Sequence, residues 1–317
     1  MINILANDGI SQSGKDALDN AGFNISTITV AQEQLANHIQ SNDIAVLLVR
    51  SATTVRKDLI DRCPNLKIIG RGGVGMDNID VEYARSKGIN VINTPAASSS
   101  SVAELVFAHL YGGVRFLHES NRNMPLEGDS NFKKLKKAYA KGVELRGKTI
   151  GIVGFGRIGR ETAKIALGIG MKVLAYDKFL KEASITLNFS HKKSVEFNIK
   201  ISKFNYLLEN SDFISLHVPA QKEFIIDKKQ FELMKDGVGI INAARGGVLN
   251  EVELISALDS GKVSFAGLDT FENEPKPEIK LLMHPNISLT PHIGAATNEA
   301  QDRIGKELAD QISNILN

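Results

Sequence analysis

Three polar side chains that could do chemistry, Arg245, Glu274 and His292, each follow a predicted strand in the second half of the chain. An arginine presents a planar, permanently charged fork that suits a carboxylate. A histidine exchanges a proton near neutral pH more readily than other side chains. Taken alone, each residue also has an ordinary interpretation: a surface salt bridge, a loop charge and a structural ring. In open parallel sheets, however, ligands bind where the strands end.

A glycine-rich turn precedes these residues in the chain. Thr149–Val153 is an apolar, β-branched run, as expected for a buried parallel strand. Gly154, Gly156 and Gly159 follow it with the spacing G-x-G-x-x-G. In this pattern the glycines allow a tight turn, a close approach to a pyrophosphate and close helix–strand packing, with the phosphates at the helix N-terminus. The alternative is a glycine-rich turn that binds no ligand.

An acidic residue supports the first of these interpretations. Asp177 ends the next predicted strand and lies 23 residues after Gly154, close to where an acid accepts hydrogen bonds from the adenosine ribose. A carboxylate there also repels a 2′-phosphate, so the sequence predicts NAD rather than NADP, a preference that the neighbouring Lys178 weakens. On a sheet that binds a dinucleotide, the arginine, the glutamate and the histidine together indicate a dehydrogenase site.

The elements that must position these residues alternate between strand and helix in both halves of the chain, which predicts parallel sheets with helices on both faces. An amphipathic helix, Glu299–Leu316, is predicted at the end. The predicted strands are Ile2–Ala6, Ile25–Val30, Ile44–Val49, Lys67–Gly70 and Asn90–Ile92, then Thr149–Val153, Met171–Tyr176, Asp212–His217, Val238–Asn242, Val263–Leu268 and Asn286–Leu289.

Three connecting segments are less regular. Ser101 and Glu104 have the spacing of a capping box, which predicts a helix beginning at Val102. Residues 125–148 are rich in lysine and are interpreted as a solvated helix face, with an anion-contacting arm as the alternative. Apolar and polar residues alternate from 195 to 201, which predicts an additional strand at the sheet edge.

The composition excludes several classes of protein. A length of 317 residues suits about two domains, and a net charge of +2 is too balanced for nucleic acid to be the main partner. No run approaches the ~18 apolar residues that cross a bilayer. The single cysteine, Cys63, is expected to be a packed side chain in a reducing compartment. We therefore expect a soluble cytoplasmic protein.

Ordered motifs along nearly the whole chain resemble the D-isomer-specific 2-hydroxyacid dehydrogenases. The resemblance implies an α/β fold of two doubly wound parallel-sheet domains with the cleft between them. A flavodoxin-like substrate domain would comprise residues 1–96 and 297–317, and a Rossmann NAD domain residues 97–296. The matching motifs are Val49–Thr53, Gly70–Asp80, Asn93–Ala97, Gly151–Gly159, His217–Pro219, Asn242–Gly247, Gly267–Pro275 and Pro291–Thr297.

The resemblance also implies roles for single residues. His292 would be the catalytic acid/base, Glu274 its orienting partner and Arg245 the clamp on the substrate carboxylate and carbonyl; no metal is expected. Together with the glycine pattern, the family motifs predict cofactor contacts at Val74, Gly154, Gly156, Arg157, Ile158, Gly159, Asp177, His217, Val218, Pro219, Ala243, Ala244, Arg245, Asp269, His292, Gly294 and Ala295. They predict substrate contacts at Arg50, Ser51, Arg71, Gly72, Gly73, Val74, Arg245 and His292, with the Gly73 and Val74 N–H groups available for a carboxylate.

The branch of the family with the greatest resemblance oxidises D-3-phosphoglycerate to 3-phosphohydroxypyruvate with NAD, the entry to serine synthesis. Arg50 and Arg71 would supply the cations that a phosphate needs. The alternatives are a glyoxylate/hydroxypyruvate reductase of the same family and an NAD-sensing, corepressor-like binding protein. The expected partners are a small phosphorylated 2-hydroxy acid and further copies of this chain, in a homodimer or higher homo-oligomer. Only 25 residues follow His292, so no serine-sensing domain is expected after it.

Overall fold

The computed structural model describes residues 1–316 and divides into two compact units. The first unit combines Met1–Ser101 with the segment that begins at Ala295, and the second unit is Val102–Gly294. The sequence placed these boundaries at residues 96 and 297. Asn317, the last residue of the predicted substrate domain, lies outside the described residues.

The first unit is built on a five-stranded parallel sheet with the strand order β2-β1-β3-β4-β5, which is the flavodoxin-like order. Its strands are β1 Asn3–Ala6, β2 Asn24–Ser26, β3 Ile44–Val49, β4 Ile68–Arg71 and β5 Asn90–Asn93. Its helices are α1 Gln12–Asn20, α2 Gln32–Ser41, α3 Lys57–Arg62, α4 Val81–Ser86 and the final helix α13 Asn298–Leu316.

The apolar strands of this unit are buried on both faces. Successive residues of a strand point to opposite sides, so Leu47 joins one core cluster and Val46 the other. The final helix covers the second of these faces, and Ile304 packs there. Helices α1 and α13 approach closely because two glycines face each other: a Cβ on Gly14 would lie 2.6 Å from the Gly305 Cα.

The second unit contains a six-stranded parallel sheet in the order β13-β12-β11-β10-β6-β7. The strand order reverses between β6 and β10, and ligands of open α/β sheets bind at such a switch point. The sheet strands are β6 Thr149–Val153, β7 Lys172–Tyr176, β10 Phe213–Leu216, β11 Val238–Asn242, β12 Val263–Leu268 and β13 Ile287–Leu289. The helices are α5 Ser99–Val114, which begins in the first unit, α6 Leu117–Glu127, α7 Phe132–Ala138, α8 Arg157–Gly168, α9 Phe204–Asn210, α10 Lys228–Leu233, α11 Glu251–Asp259 and α12 Ile279–Leu282.

The predicted capping box at Ser101 is wrong. Helix α5 begins at Ser99, so Ser101 already lies inside its first turn. The Ser101 hydroxyl instead lies 2.8 Å from the Thr297 hydroxyl oxygen. A tertiary partner, remote in sequence, has therefore displaced the local bond that the spacing predicted.

The alternating segment at 195–201 does form a strand, but its pairing differs from the prediction. Strand β9, Lys193–Lys200, pairs antiparallel with β8, Glu182–Phe189, in a separate two-stranded sheet. Its only bridge to the main sheet among the described residues joins Ala175 to Ile201. The buried side chains of Ala183 and Ile185 place β8 in the core cluster of the second unit, so the hairpin packs against the unit instead of extending its sheet.

The lysine-rich segment has the form of a solvated helix face. In α7 the four lysines from 133 to 137 are exposed, and Leu135 is the buried residue among them. Within residues 1–316 no helix has the combination of length and apolarity that spanning a membrane requires.

Candidate active site

The three glycines of the turn after β6 each have a distinct environment. Gly154 has φ +93°, and a Cβ on it would lie 2.5 Å from the His217 carbonyl oxygen. A Cβ on Gly159 would lie 2.2 Å from the Gly154 oxygen, so this glycine lets α8 pack against the turn. Gly156 caps α8 and has no atom within 4 Å of its Cβ position. The turn therefore leaves free space at a helix N-terminus, which fits the pyrophosphate of a dinucleotide.

Asp177 ties this turn to the end of β7. One carboxylate oxygen accepts the Phe155 N–H at 2.9 Å, and the other accepts those of Phe179 at 2.9 Å and Leu180 at 3.3 Å. A carboxylate has about four acceptor positions, so Asp177 keeps the capacity to accept a ribose hydroxyl. The residue is half-buried beside the glycine turn, and its role as the ribose ligand stays a prediction.

We expect Asp177→Ala to weaken NAD binding and to raise the ratio of kcat/KM for NADP over NAD on the order of tenfold to hundredfold, because a charged hydrogen bond contributes about 1.5–3 kcal/mol. Steady-state rates with both cofactors measure this ratio. Asp177→Asn, which keeps an acceptor but removes the charge, separates repulsion of the 2′-phosphate from loss of the hydrogen bond. An unchanged ratio in both variants would remove Asp177 as the ribose ligand.

His217 follows β10 beside the glycine turn. Its Nε2 lies 2.8 Å from the Ser215 hydroxyl and 3.3 Å from the Thr162 hydroxyl. Burial lowers the pKa of His217 to about 3, so the ring is neutral. Its Nδ1 is buried and has no partner within the described part of the chain. Since an unpaired buried polar atom is uncommon, this atom marks a position beside the glycine turn that can make one further hydrogen bond.

A histidine–carboxylate pair lies after β12 and β13. His292 Nδ1 lies 2.8 Å from Glu274 Oε2, and because a carboxylate only accepts, the ring donates this proton. The other Glu274 oxygen accepts the Phe271 N–H at 3.0 Å. Burial opposes ionisation of Glu274, but the hydrogen bonds from His292 and Phe271 and the positive charge of Arg245 hold its pKa below the ordinary value. Glu274 is therefore a carboxylate that orients the imidazole and leaves Nε2 available.

Arg245 reaches the same region from the end of β11. Asn242 holds this turn, since its amide donates to the Arg245 carbonyl at 2.9 Å and accepts the Ala244 N–H at 3.1 Å. A Cβ on Gly246 would lie 1.9 Å from the Phe271 carbonyl oxygen, so this glycine lets the turn pack on the loop that carries Glu274. The second unit thus brings Arg245, Glu274 and His292 together, as the sequence predicted.

Asp269 anchors the segment that contains His292. Its carboxylate accepts the Thr290 hydroxyl at 2.6 Å and the N–H groups of Ile293 and Gly294, both at 2.8 Å. The residue is buried at the end of β12. Asp269 was predicted as a cofactor contact; the structure additionally gives it three donors within the protein.

Four more predicted cofactor residues are placed beside the glycine turn or the Arg245 turn: Arg157, Ile158, Val218 and Ala243. Pro219 is exposed just after Val218, and Ala295 begins the returning segment of the first unit.

A pair of glutamates, Glu251 and Glu272, was missed by the sequence reasoning. Glu251 begins α11 and is 6% exposed; its Oε1 accepts the Glu272 N–H at 2.8 Å. In return the Glu272 carboxylate accepts the Glu251 N–H at 2.9 Å. Burial, reinforced by the charges of Glu272, Glu278 and Glu274, raises the pKa of Glu251 to about 7 although the Glu272 N–H favours its ionised form. The pair joins α11 to the loop of Glu274. Its only sequence signal is a glutamate at a helix N-terminus, a common feature with no special meaning.

This raised pKa predicts a pH dependence of stability. The unfolded chain loses the Glu251 proton near the ordinary value of 4.5, whereas the folded protein keeps it until about pH 7. The free energy of unfolding should therefore fall as the pH rises from about 4.5 to about 7, and stay lowered above that. The side chain at position 251 of the Glu251→Gln variant cannot ionise. We therefore expect its free energy of unfolding, relative to that of wild type, to increase by on the order of 2 kcal/mol when the pH is raised from 5 to 8. Urea unfolding at both values measures the gain; an equal difference at both would contradict it.

In the first unit, Arg50 and Arg71 lie at adjacent strand ends. Val49 pairs with Arg71, and the Arg50 Cγ lies 3.6 Å from the Cβ position of Gly72. The backbone N–H of Arg50 donates a hydrogen bond to the Asp8 carboxylate at 2.6 Å. Ser51, also predicted to contact substrate, is exposed on the same loop.

The glycine loop after β4 holds the Arg71 side chain. Gly73 has φ +144°, and a Cβ there would lie 1.6 Å from Arg71 Nη1, so the guanidinium occupies the space that glycine leaves. The Gly73 N–H, expected to be available for a carboxylate, already donates to the Arg71 carbonyl at 2.9 Å. Val74, the other residue proposed to supply an N–H, is exposed.

Comparison with known families identifies the second unit. Residues 107–294 match the D-isomer specific 2-hydroxyacid dehydrogenase family, NAD binding domain. The chain belongs to this family. The predicted family, fold class and NAD cofactor are thereby confirmed, and this 2-hydroxyacid dehydrogenase is an NAD-dependent enzyme.

Individual relatives show how far the likeness extends. The dehydrogenase is 45% identical to a hydroxypyruvate reductase of Thermotoga maritima, over 85% of this chain and 84% of that protein. It is 40% identical to a D-3-phosphoglycerate dehydrogenase of Archaeoglobus fulgidus, over 98% of this chain and 57% of that protein. It superposes on a D-lactate dehydrogenase of Aquifex aeolicus, complexed with NAD and lactic acid, with a TM-score of 0.75 and 29% identity, covering 100% of this chain and 95% of that one.

The two kinds of relative differ in length as well as in name. The chain spans little more than half of the Archaeoglobus phosphoglycerate dehydrogenase but most of the Thermotoga hydroxypyruvate reductase. No group of three or more potential metal ligands occurs within residues 1–316.

Proposed function

We propose that this enzyme oxidises D-3-phosphoglycerate to 3-phosphohydroxypyruvate. The observation that carries the proposal is the 2.8 Å hydrogen bond between His292 and Glu274, with the charge of Arg245 acting on the same carboxylate. These residues stand at the carboxyl ends of the strands in the NAD-binding unit, where parallel sheets bind their ligands.

His292 is proposed as the general base for the substrate hydroxyl. Since Nδ1–H donates to Glu274, the lone pair of Nε2 can take the hydroxyl proton. Glu274 then faces an imidazolium, whose positive charge its carboxylate stabilises. Proton transfer by a positioned side chain is typically worth ~10²–10⁴ in rate.

NAD, when bound, accepts the hydride from the substrate carbon. Arg245 holds the substrate carboxylate and polarises the developing carbonyl with its guanidinium.

Arg50 and Arg71 support a phosphorylated substrate. Both guanidinium groups come from neighbouring strand ends of the first unit, and arginine forks match the geometry of phosphate oxygens. The likeness to phosphoglycerate dehydrogenases over nearly the whole chain supports the same choice. A smaller hydroxy acid without phosphate needs only one cation for its carboxylate.

A second candidate is a hydroxypyruvate reductase, acting on the unphosphorylated oxo acid. It is favoured by the Thermotoga relative, which has the higher identity and nearly the same length. The two candidates share the roles of Arg245, Glu274 and His292 and differ in whether Arg50 recognises a phosphate.

The test compares kcat/KM for D-3-phosphoglycerate and D-glycerate with NAD, in wild type and Arg50→Met. We expect wild type to prefer the phosphorylated acid, and Arg50→Met to lose about tenfold to hundredfold for that substrate only, because a charged hydrogen bond contributes about 1.5–3 kcal/mol. Arg85→Met is the matched control, since Arg85 is exposed and pairs with Glu82. Faster turnover of D-glycerate, or of hydroxypyruvate in the reverse direction, would favour the second candidate.

We also propose that the enzyme forms a homodimer through α6 and α7. Leu126 is 80% exposed and Phe132 56% exposed, with Leu117 and Met124 also exposed. Apolar surface of this kind on adjacent helices favours burial against another chain. Sedimentation at micromolar concentration should give a mass above the 34.5 kDa of one chain, and Leu126→Glu should lower it. A single species of one-chain mass for wild type would contradict the dimer.

A further inference from the structure

His109 is a buried polar residue inside an apolar helix. It lies on α5 among Val106, Phe107 and Leu110 and is 3% exposed. Its Nδ1 lies 2.9 Å from the Ser288 hydroxyl and its Nε2 lies 3.0 Å from the Thr290 hydroxyl. Burial lowers the pKa of His109, against the charge of Asp269, so the ring is neutral. A polar side chain that gives up water needs such partners.

The direction of each hydrogen bond follows from the acceptors. The Asp269 carboxylate only accepts, so Thr290 donates its single hydroxyl proton to Asp269 at 2.6 Å. The Thr290 oxygen must therefore accept from His109, which places the ring proton on Nε2. Nδ1 is then the acceptor, and the Ser288 hydroxyl donates to it. A neutral histidine has one donor and one acceptor, and this arrangement uses both.

The sheet makes room for this ring. Ser288 pairs with Gly267 across β13 and β12, and a Cβ on Gly267 would lie 2.6 Å from the His109 Cβ. The glycine therefore lets His109 lie against the strand ends instead of pointing away from them.

The far end of the network is the backbone that carries His292. The two oxygens of Asp269 take the N–H groups of Ile293 and Gly294, the two residues after His292. His292 itself has φ +53°, a left-handed conformation, and its N–H donates to the Thr290 carbonyl at 3.0 Å. A residue other than glycine costs roughly 1–2 kcal/mol in that conformation, so bonds on both sides of His292 must maintain it.

We infer that His109 and Thr290 are positioning residues that fix the orientation of Asp269, and through it the backbone and ring of His292. The inference rests on the proposed role of His292 as the general base. Neither residue is required to touch substrate or cofactor. Loss of the Thr290 hydroxyl would leave His109 Nε2–H without its acceptor and would remove one of the two hydrogen bonds to Asp269 Oδ1, which would keep only the Ile293 N–H. The 290–294 segment could then relax from its left-handed turn.

The test uses Thr290→Val, which keeps the shape but removes the hydroxyl, and Thr290→Ser, which restores it. We expect Thr290→Val to lower kcat about tenfold, the equivalent of one hydrogen bond, and to shift the midpoint of the acid limb of the kcat/KM pH profile. NADH binding, followed by fluorescence, should be nearly unchanged, and Thr290→Ser should return both kcat and the pH profile toward wild type. Thr186→Val, the same substitution at an exposed position of β8, is the matched control and should leave kcat and the pH profile unchanged.

The outcomes separate this inference from the proposed function. An inactive His292→Ala with wild-type kcat and pH profile in Thr290→Val would overturn the positioning role alone. So would a Thr290→Val that loses kcat while its pH profile stays fixed and Thr290→Ser fails to rescue it. A fully active His292→Ala would instead remove the general base on which the inference depends. Thermal melting of each variant shows whether a loss comes from unfolding.

Discussion

His292→Ala should lower kcat by ~10²–10⁴, the usual contribution of a positioned general base, while NADH binding stays nearly intact. The ring is 39% exposed, and its Nδ1 donates a hydrogen bond to Glu274. Its removal therefore takes away the proton acceptor without opening a core cavity. The hydrogen bonds that the structure gives His292, to Glu274 and to the Thr290 carbonyl, involve neither Asp177 nor the glycine turn, the proposed nucleotide site.

Steady-state rates and NADH fluorescence titration on the same preparation measure the two effects separately. His191→Ala is the matched control, since His191 lies exposed in the turn between β8 and β9. Turnover within a few-fold of wild type would remove His292 from its role. A parallel loss of NADH affinity would mean that the loop had collapsed, and thermal melting distinguishes this.

Arg245→Gln should lower kcat/KM by ~10²–10⁴, because two charged hydrogen bonds to a carboxylate are worth about 1.5–3 kcal/mol each. Glutamine keeps polarity and much of the length but loses the planar, charged fork. Glu274 would also lose the positive charge that helps to hold its pKa low. The pH profile of the variant should therefore change together with its rate.

The Arg245 experiment includes a carboxylate inhibitor, oxalate, as a direct probe of the clamp. We expect its inhibition constant to rise in parallel with the loss of kcat/KM, whereas NADH affinity changes little. Arg85→Gln, on the exposed surface, should leave both values unaltered. An inhibition constant equal to that of wild type in Arg245→Gln would show that another group binds the carboxylate.

Much of the fold could be predicted because its determinants are local. The β-branched runs before Gly154 and before Arg245 read as buried strands without knowledge of their partners. The glycine pattern was also readable, since its three positions lie in one strand–turn–helix segment and two of them pack closely on the turn itself, on β6 or on the end of β10. Arg245, Glu274 and His292 were found because each stands at a strand end, and the chemical types of these residues suit one reaction.

Most of the features that were missed depend on partners that the local sequence does not reveal. Ser101 has the sequence pattern of a helix cap, but its hydroxyl forms a hydrogen bond with the hydroxyl of Thr297, 196 residues away in sequence. Strand β8 was not predicted, because only its pairing with β9 makes the hairpin evident. His109 reads as one polar residue in an apolar helix, and only the fold shows that Ser288 and Thr290 meet its two nitrogens.

The most direct test of the central claim is the appearance of NADH absorbance when the purified chain is mixed with NAD and D-3-phosphoglycerate. We expect NADH formation with the D-isomer and none with the L-isomer, and loss of the signal in His292→Ala. Absence of NADH with D-3-phosphoglycerate in a folded preparation that binds NADH would contradict it.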